Sequence, residues 1–204
     1  MTDATTIPRL DARALDAGDP EALARLRAGV ETAGFLTLHA TAIPRAEVEA
    51  LLDAYRAFFR RPEAEKRAVD MARTGANRGW GAPRSERVDP KANPDYKEVF
   101  DCGYELAADD PWRKEGLAVY ADNLWPGDMP AFRATLERYQ RAALGVSLRL
   151  LRAVAAALGQ PPDYFADKFT RPMALLRGNY YPPRPEDAGA RDFGIGAHTD
   201  YGCL

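Results

Sequence analysis

Met173-Ala174-Leu175-Leu176-Arg177-Gly178-Asn179-Tyr180-Tyr181-Pro182-Pro183, followed after a charged loop by Gly194-Ile195-Gly196-Ala197-His198-Thr199-Asp200, is the stretch on which the reading of this chain turns. The first part alternates as a strand does, with Leu175, Arg177, Asn179 and Tyr181 on one face and Ala174, Leu176, Gly178 and Tyr180 on the other. Pro182-Pro183 ends it, because proline cannot donate to a ladder. The second part, from Phe193 to Asp200, reads as another strand, on which His198 and Asp200 stand two residues apart and share a face. An imidazole and a carboxylate side by side are suited to two adjacent positions on one metal ion, and this donor pair occurs in 2-His-1-carboxylate iron sites. Taken alone, the spacing is a weak signal and fits better a histidine oriented by a neighbouring acid on a surface turn.

Upstream of this stretch the pattern is mainly helical. Asp19-Pro20 is an acceptor at the N-cap with proline at the first helical position, and the helix runs through Leu23, Leu26 and Val30 to Gly34. Phe35-Leu36-Thr37-Leu38 reads as a short strand. A second helix follows Pro44, with Val48, Leu51, Leu52, Tyr55, Phe58 and Phe59 on one face, and stops at Arg60-Arg61-Pro62. Arg73 to Asn93 reads as a long loop broken by Gly75, Gly79, Gly81, Pro83 and Pro90, and Tyr96 to Leu106 offers a strand. The longest helix spans Phe132 to Leu158, with Phe132, Leu136, Tyr139, Val146, Leu150 and Val154 as its apolar stripe and Gly159 and Pro161 beyond its end.

Composition narrows the function classes. The 204 residues are 46% hydrophobic and 28% charged, ordinary for a globular chain, so a core can be built. The 30 acidic and 28 basic residues leave a net charge of -2, and the arginines are scattered singly and in pairs, which points away from nucleic-acid and anionic-membrane partners. No apolar run approaches a membrane span and no signal-peptide pattern opens the chain, so a cytoplasmic location is expected. Cys102 and Cys203 lack metal-site spacing and suit reduced thiols on buried or strand positions. Asp109-Asp110 reads as a solvated turn. The Gly75–Gly81 loop lacks a Walker-type Gly-Lys-Ser/Thr, which argues against phosphate binding.

Taken together, Ile7-Pro8, Gly34-Phe35, Asn77-Arg78-Gly79-Trp80, Asp95-Tyr96-Lys97-Glu98-Val99-Phe100-Asp101-Cys102-Gly103, the NYYPP run at 179–183 and His198-Thr199-Asp200 give the chain a family likeness. It resembles the isopenicillin-N-synthase-like group of Fe(II)- and 2-oxoglutarate-dependent oxygenases. The resemblance implies a mixed α/β (α+β) fold, with helices packed on a double-stranded β-helix or jelly roll that is incomplete in this chain. Residues 1–168 would form the N-terminal helical and mixed region and 169–204 the opening strands of the jelly-roll core. It further implies His198 and Asp200 as iron ligands, Asn179 and Tyr181 as hydrogen-bonding partners of 2-oxoglutarate, and Arg177 as a substrate contact or, equally, a rim arginine. The partners would be molecular oxygen and a small organic substrate, with hydroxylation, desaturation or ring closure as the outcome.

In the family a third ligand, a His, and an Arg-x-Ser pair lie downstream of the His-x-Asp motif, past Leu204, so the sequence reads as the front portion of an oxygenase. His39 does not match the missing ligand and reads as structural. Two alternatives accompany this reading. One is a family oxidase that does not use 2-oxoglutarate, and the other is a non-catalytic remnant or binding module holding a two-ligand, low-affinity metal site.

Overall fold

The computed structural model describes residues 7–183, 186–199 and 202–204. In chain order the elements are β1 (Arg9–Asp11), α1 (Ala12–Asp16), α2 (Pro20–Thr32), β2 (Thr37–His39), α3 (Arg45–Phe59), α4 (Glu63–Lys66), β3 (Gly79–Gly81), β4 (Glu98–Gly103), α5 (Pro130–Ala157) and β5 (Leu175–Tyr180), with short 3-10 turns between several of them. This is the mixed helix-and-sheet class that the sequence implies. No described helix is long and apolar enough to cross a membrane.

The chain packs as two compact units, one of residues 1–48 and 141–172, the other of 49–140 and 173–204. The expected division at 168/169 falls at the end of the 3-10 turn Ala166–Phe169, just before the second unit resumes at Met173. In the first unit β1 pairs in parallel with β2, Leu10 opposite Leu38 and Asp11 opposite His39. Helix α2 starts as its sequence dictates. The Asp19 carboxylate accepts from the Ala22 amide at 2.8 Å, satisfying one of the donors that a helix start leaves open. Leu10, Leu15, Leu26 and Ala153 form this unit's core, flanked by Leu23, Leu38, Leu150 and Val154. His39 lies at the end of β2 with Nδ1 4.0 Å from Asp11.

The second unit is built on an antiparallel sheet ordered β3-β4-β5. All six residues of β4 are buried, as a central strand covered on both faces must be. One face carries Trp80, Phe100, Cys102 and Leu176 into a core with Leu51, Tyr55, Phe58, Phe59, Phe132 and Leu136. Phe58 lies at the middle of this cluster, its ring centroid 4.7 Å from that of Phe100 and 5.1 Å from that of Phe132. Burying each such ring stabilises the fold by about 1.5–3 kcal/mol. Leu52, expected on the same helix face, is exposed instead. It follows Leu51 by about 100° of helix rotation, which carries it off the buried stripe.

Two further expectations are corrected. Inside the segment read as a loop, Gly79-Trp80-Gly81 forms β3. The absence of side chains at 79 and 81 lets β3 lie against Val69, Leu124 and Val99, while Trp80 is fully buried. Its indole Nε1 donates to Glu98 Oε2 at 2.8 Å, and the same oxygen receives Lys66 Nζ at 2.5 Å. Conversely, among the described residues 193–199 no strand forms. The backbone bonds of this region run to the loop before β4, with the Asn93 amide donating to Arg191 O at 2.9 Å and the Tyr96 amide to Phe193 O at 3.3 Å. A segment held by such isolated bonds has no ladder to keep it extended.

Candidate functional site

The face of the sheet opposite the aromatic core carries Val99 and Asp101 on β4 and, directly across, Asn179 and Arg177 on β5. Strand register therefore sets Arg177 over Asp101. The guanidinium donates to both carboxylate oxygens, Nε to Oδ1 at 2.8 Å and Nη2 to Oδ2 at 2.7 Å, the two-pronged geometry that makes such pairs strong. Its other edge donates to Glu86, Nη1 at 3.1 Å and Nη2 at 2.9 Å. Glu86 in turn meets Lys97 Nζ at 2.9 Å, and Lys97 reaches Asp95 at 3.0 Å. Asp95 closes the series with its second oxygen, which accepts from the Gly196 amide at 3.3 Å. The Gly196 carbonyl accepts from His198 Nδ1 at 2.9 Å.

The charges in this series sit in low-dielectric surroundings. Asp101 is fully buried and Asp95 is 1% exposed. Burial pushes the Asp101 carboxyl upward, against the pull of Arg177. Arg177 is half-buried, and its partial desolvation by itself would weaken its charge, but the two carboxylates it pairs with hold it cationic beyond the ordinary arginine range. For Glu86 burial acts upward and is outweighed by Lys97 and Arg177, leaving the group below its usual value. Lys97 is likewise raised, because Glu86 and Asp95 outweigh its desolvation. Each charge of this series thus has an opposite partner at hydrogen-bond distance, as buried charges require.

The site residues expected from the sequence fall as follows. His198 is exposed, and since a carbonyl can only accept, its Nδ1 carries the proton. In the neutral ring the lone pair then lies on Nε2, the tautomer of a histidine ligand whose other nitrogen is held by a backbone carbonyl. His198 therefore fits an imidazole ligand of iron. Asp200 lies outside the described residues. Among the described residues no group of three or more His, Cys, Asp or Glu side chains is arranged to hold a metal ion.

Asn179 is exposed beside Arg177. Tyr181 stands one residue past β5, 49% exposed, with its ring against Gly194, where a Cβ would come within 2.7 Å of Cδ1. Tyr180 turns the other way and stacks on Phe59, with centroids 5.5 Å apart. Arg177 spends its guanidinium on Asp101 and Glu86, so most of its donors are already engaged.

Asp95, Lys97, Glu86 and Asp101 were not assigned roles from the sequence. Asp95, Lys97 and Asp101 stand there only as members of the motif at 95–103 that contributes to the family likeness, and Glu86 carries no signal beyond its charge. Of the remaining candidates, Asp110 caps a 3-10 turn by accepting from the Trp112 amide at 2.9 Å, in line with the turn reading. Cys102 is a buried strand residue whose thiol burial pushes up to about 12, while Cys203 is exposed.

Known proteins place this geometry in a family. Residues 7–128 match the model described as the N-terminal region of the non-haem dioxygenase in morphine synthesis. A 2-oxoglutarate-Fe(II) type oxidoreductase of Emericella nidulans is 32% identical over 208 residues, covering 98% of this chain and 60% of that protein. A homoarginine-6-hydroxylase of Glycine max is 28% identical over 219 residues, covering 100% of this chain and 65% of that protein. Among solved structures, a Neurospora crassa protein crystallised with α-ketoglutarate superposes with a TM-score of 0.79 at 28% identity, covering 99% of this chain and 63% of that one.

A non-haem oxygenase class is what these likenesses define. The chain belongs to the family of Fe(II)/2-oxoglutarate-dependent oxygenases, whose members carry the double-stranded β-helix fold. It spans about three fifths of the length of the curated relatives it matches.

Proposed function

We propose that the whole protein is an Fe(II)- and 2-oxoglutarate-dependent oxygenase that oxidises a small organic molecule with molecular oxygen. The observation that carries the proposal is His198, fixed through Nδ1 in the tautomer of a metal ligand and borne on a segment bonded to the loop that leads into β4. His198 and Asp200 would hold the iron. The metal, with 2-oxoglutarate and oxygen, supplies oxidising power that protein side chains lack.

The protein's own residues bind and orient. Asn179 offers an amide and Tyr181 a phenol, both able to donate to a carboxylate of 2-oxoglutarate. Arg177 borders the same face, where its engaged donors hold the wall of the site and leave a single N–H of the guanidinium for a substrate. Residues 169–204, with β5 as their described strand, supply the opening of the jelly-roll core under this reading. A cytoplasmic setting belongs to the same proposal, in keeping with two cysteines that are both free thiols.

Succinate release by the full-length protein, supplied with Fe(II), 2-oxoglutarate and oxygen, tests the proposal. His198→Ala is expected to abolish release, and release that survives this substitution overturns the assignment.

A further inference from the structure

We propose that Asp95 is a positioning residue for the His198 imidazole, held in place by the ion network that ends on Arg177 and Asp101. The inference rests on the reading of His198 as an iron ligand and adds how that ligand is aimed. His198 follows Gly194 and Gly196 in a segment without a ladder of its own, and glycine leaves a backbone many conformations. Something outside the segment must select one of them.

The contacts name the selector. Gly196 is gripped on both sides of its Cα, its amide donating to Asp95 Oδ1 at 3.3 Å and its carbonyl accepting from His198 Nδ1 at 2.9 Å. Gly196 is buried and pressed onto the loop so closely that a Cβ there would stand 2.9 Å from Asp89 Cβ. Asp95 itself does not need its carboxylate to stay in place. Its amide donates to Glu86 O at 2.9 Å and its carbonyl accepts from the Arg84 amide at 2.8 Å, so its backbone is anchored on both sides. What the side chain adds is a buried acceptor aimed at Gly196, with its other oxygen fixed by Lys97 at 3.0 Å. Lys97 is fixed in turn by Glu86, and Glu86 by Arg177, whose place is set by the β4–β5 register. Sheet register is thereby carried through a chain of charge-assisted bonds to Gly196, and from its carbonyl to the His198 ring.

Co(II) is a spectroscopic stand-in for Fe(II), and its titration into the metal-free full-length protein, followed by visible d–d absorption, tests the inference without turnover. Removing a partner that orients a metal ligand typically weakens metal affinity by about 10–100-fold, which is the loss expected for Asp95→Ala. Asp95→Asn keeps an acceptor oxygen facing the Gly196 amide and is expected to stay within about threefold of the native protein. Both variants lose the ion pair to Lys97, so both melt earlier, and a merely structural Asp95 would make their affinities fall together. Equal losses in Ala and Asn therefore overturn the inference.

An Asp95→Ala that binds Co(II) as the native protein does, beside a weakened His198→Ala, overturns the inference alone. A His198→Ala with native affinity overturns the ligand assignment and the inference with it. If Asp95→Ala does not fold, Lys97→Met takes its place, since it leaves the acceptor but frees it to move. A clear loss of affinity there supports the inference, and native affinity overturns it.

Discussion

Replacing Arg177 by Met separates a structural from a purely substrate-facing role for this side chain, because Met keeps most of the apolar stem and removes the guanidinium. Four hydrogen bonds disappear, two of them to Asp101, which is 0% exposed and has no water to turn to. Glu86 keeps Lys97 as its partner, so the cost concentrates on Asp101. Stripping one partner from a buried ion pair typically costs about 3–5 kcal/mol. The lower end applies here because solvent reaches the Arg177 side of the pair, giving about 3 kcal/mol. For a chain of this size that corresponds to a fall of about 6–12 °C in melting temperature.

The loss should shrink at acid pH. With its cation gone, Asp101 is a carboxyl whose folded pKa is raised further by burial, and a raised carboxyl regains stability as pH falls through that pKa and the group takes up a proton. Asp101→Asn combined with Arg177→Met should be less destabilised than the sum of the single changes, by about 2 kcal/mol. Thermal unfolding of the three variants at two pH values reads all of this. A melting temperature within about 2 °C of native for Arg177→Met would refute the reasoning and return the residue to a substrate role alone.

Gly178 stands opposite Phe100 in the β4–β5 ladder, where a Cβ would collide with the ring of the buried Tyr55, so Gly178→Ala should cost about 1–3 kcal/mol. An unchanged denaturation midpoint would show that Tyr55 can withdraw. Cys102 has its thiol pushed from an ordinary 9.0 up to about 12 by burial, so its contribution is fully present below pH 9 and is lost as pH rises through the folded value. Each pH unit between those limits should cost about 1.4 kcal/mol more in the native protein than in Cys102→Ala. Parallel stability curves for the two proteins between pH 9 and 11 would contradict this.

The amino-acid sequence by itself determined the elements whose cause is local. Asp19-Pro20 opens α2, the spacing of Leu51, Tyr55, Phe58 and Phe59 makes α3 amphipathic, and the alternation from Leu175 to Tyr180 assigns each β5 side chain to a face. Residue type and spacing also marked His198 and Asp200, while Asn179, Tyr181 and Arg177 were marked only through the family resemblance that the surrounding motifs carry. What only the tertiary structure decided is which groups meet. Arg177 lies 76 residues from Asp101 and 91 from Glu86, and no periodicity reports a pairing over that distance.

The same limit hid β3. Three residues rich in glycine carry no strand signal, and they become a strand only because β4 offers a ladder and the core offers Trp80 a place. It also produced the strand expected at 193–200, where the described residues bond to the loop before β4 instead. Local pattern fixes which way a side chain faces. The partner it finds there is set by long-range packing, and at a site built from buried charges the partner decides the chemistry.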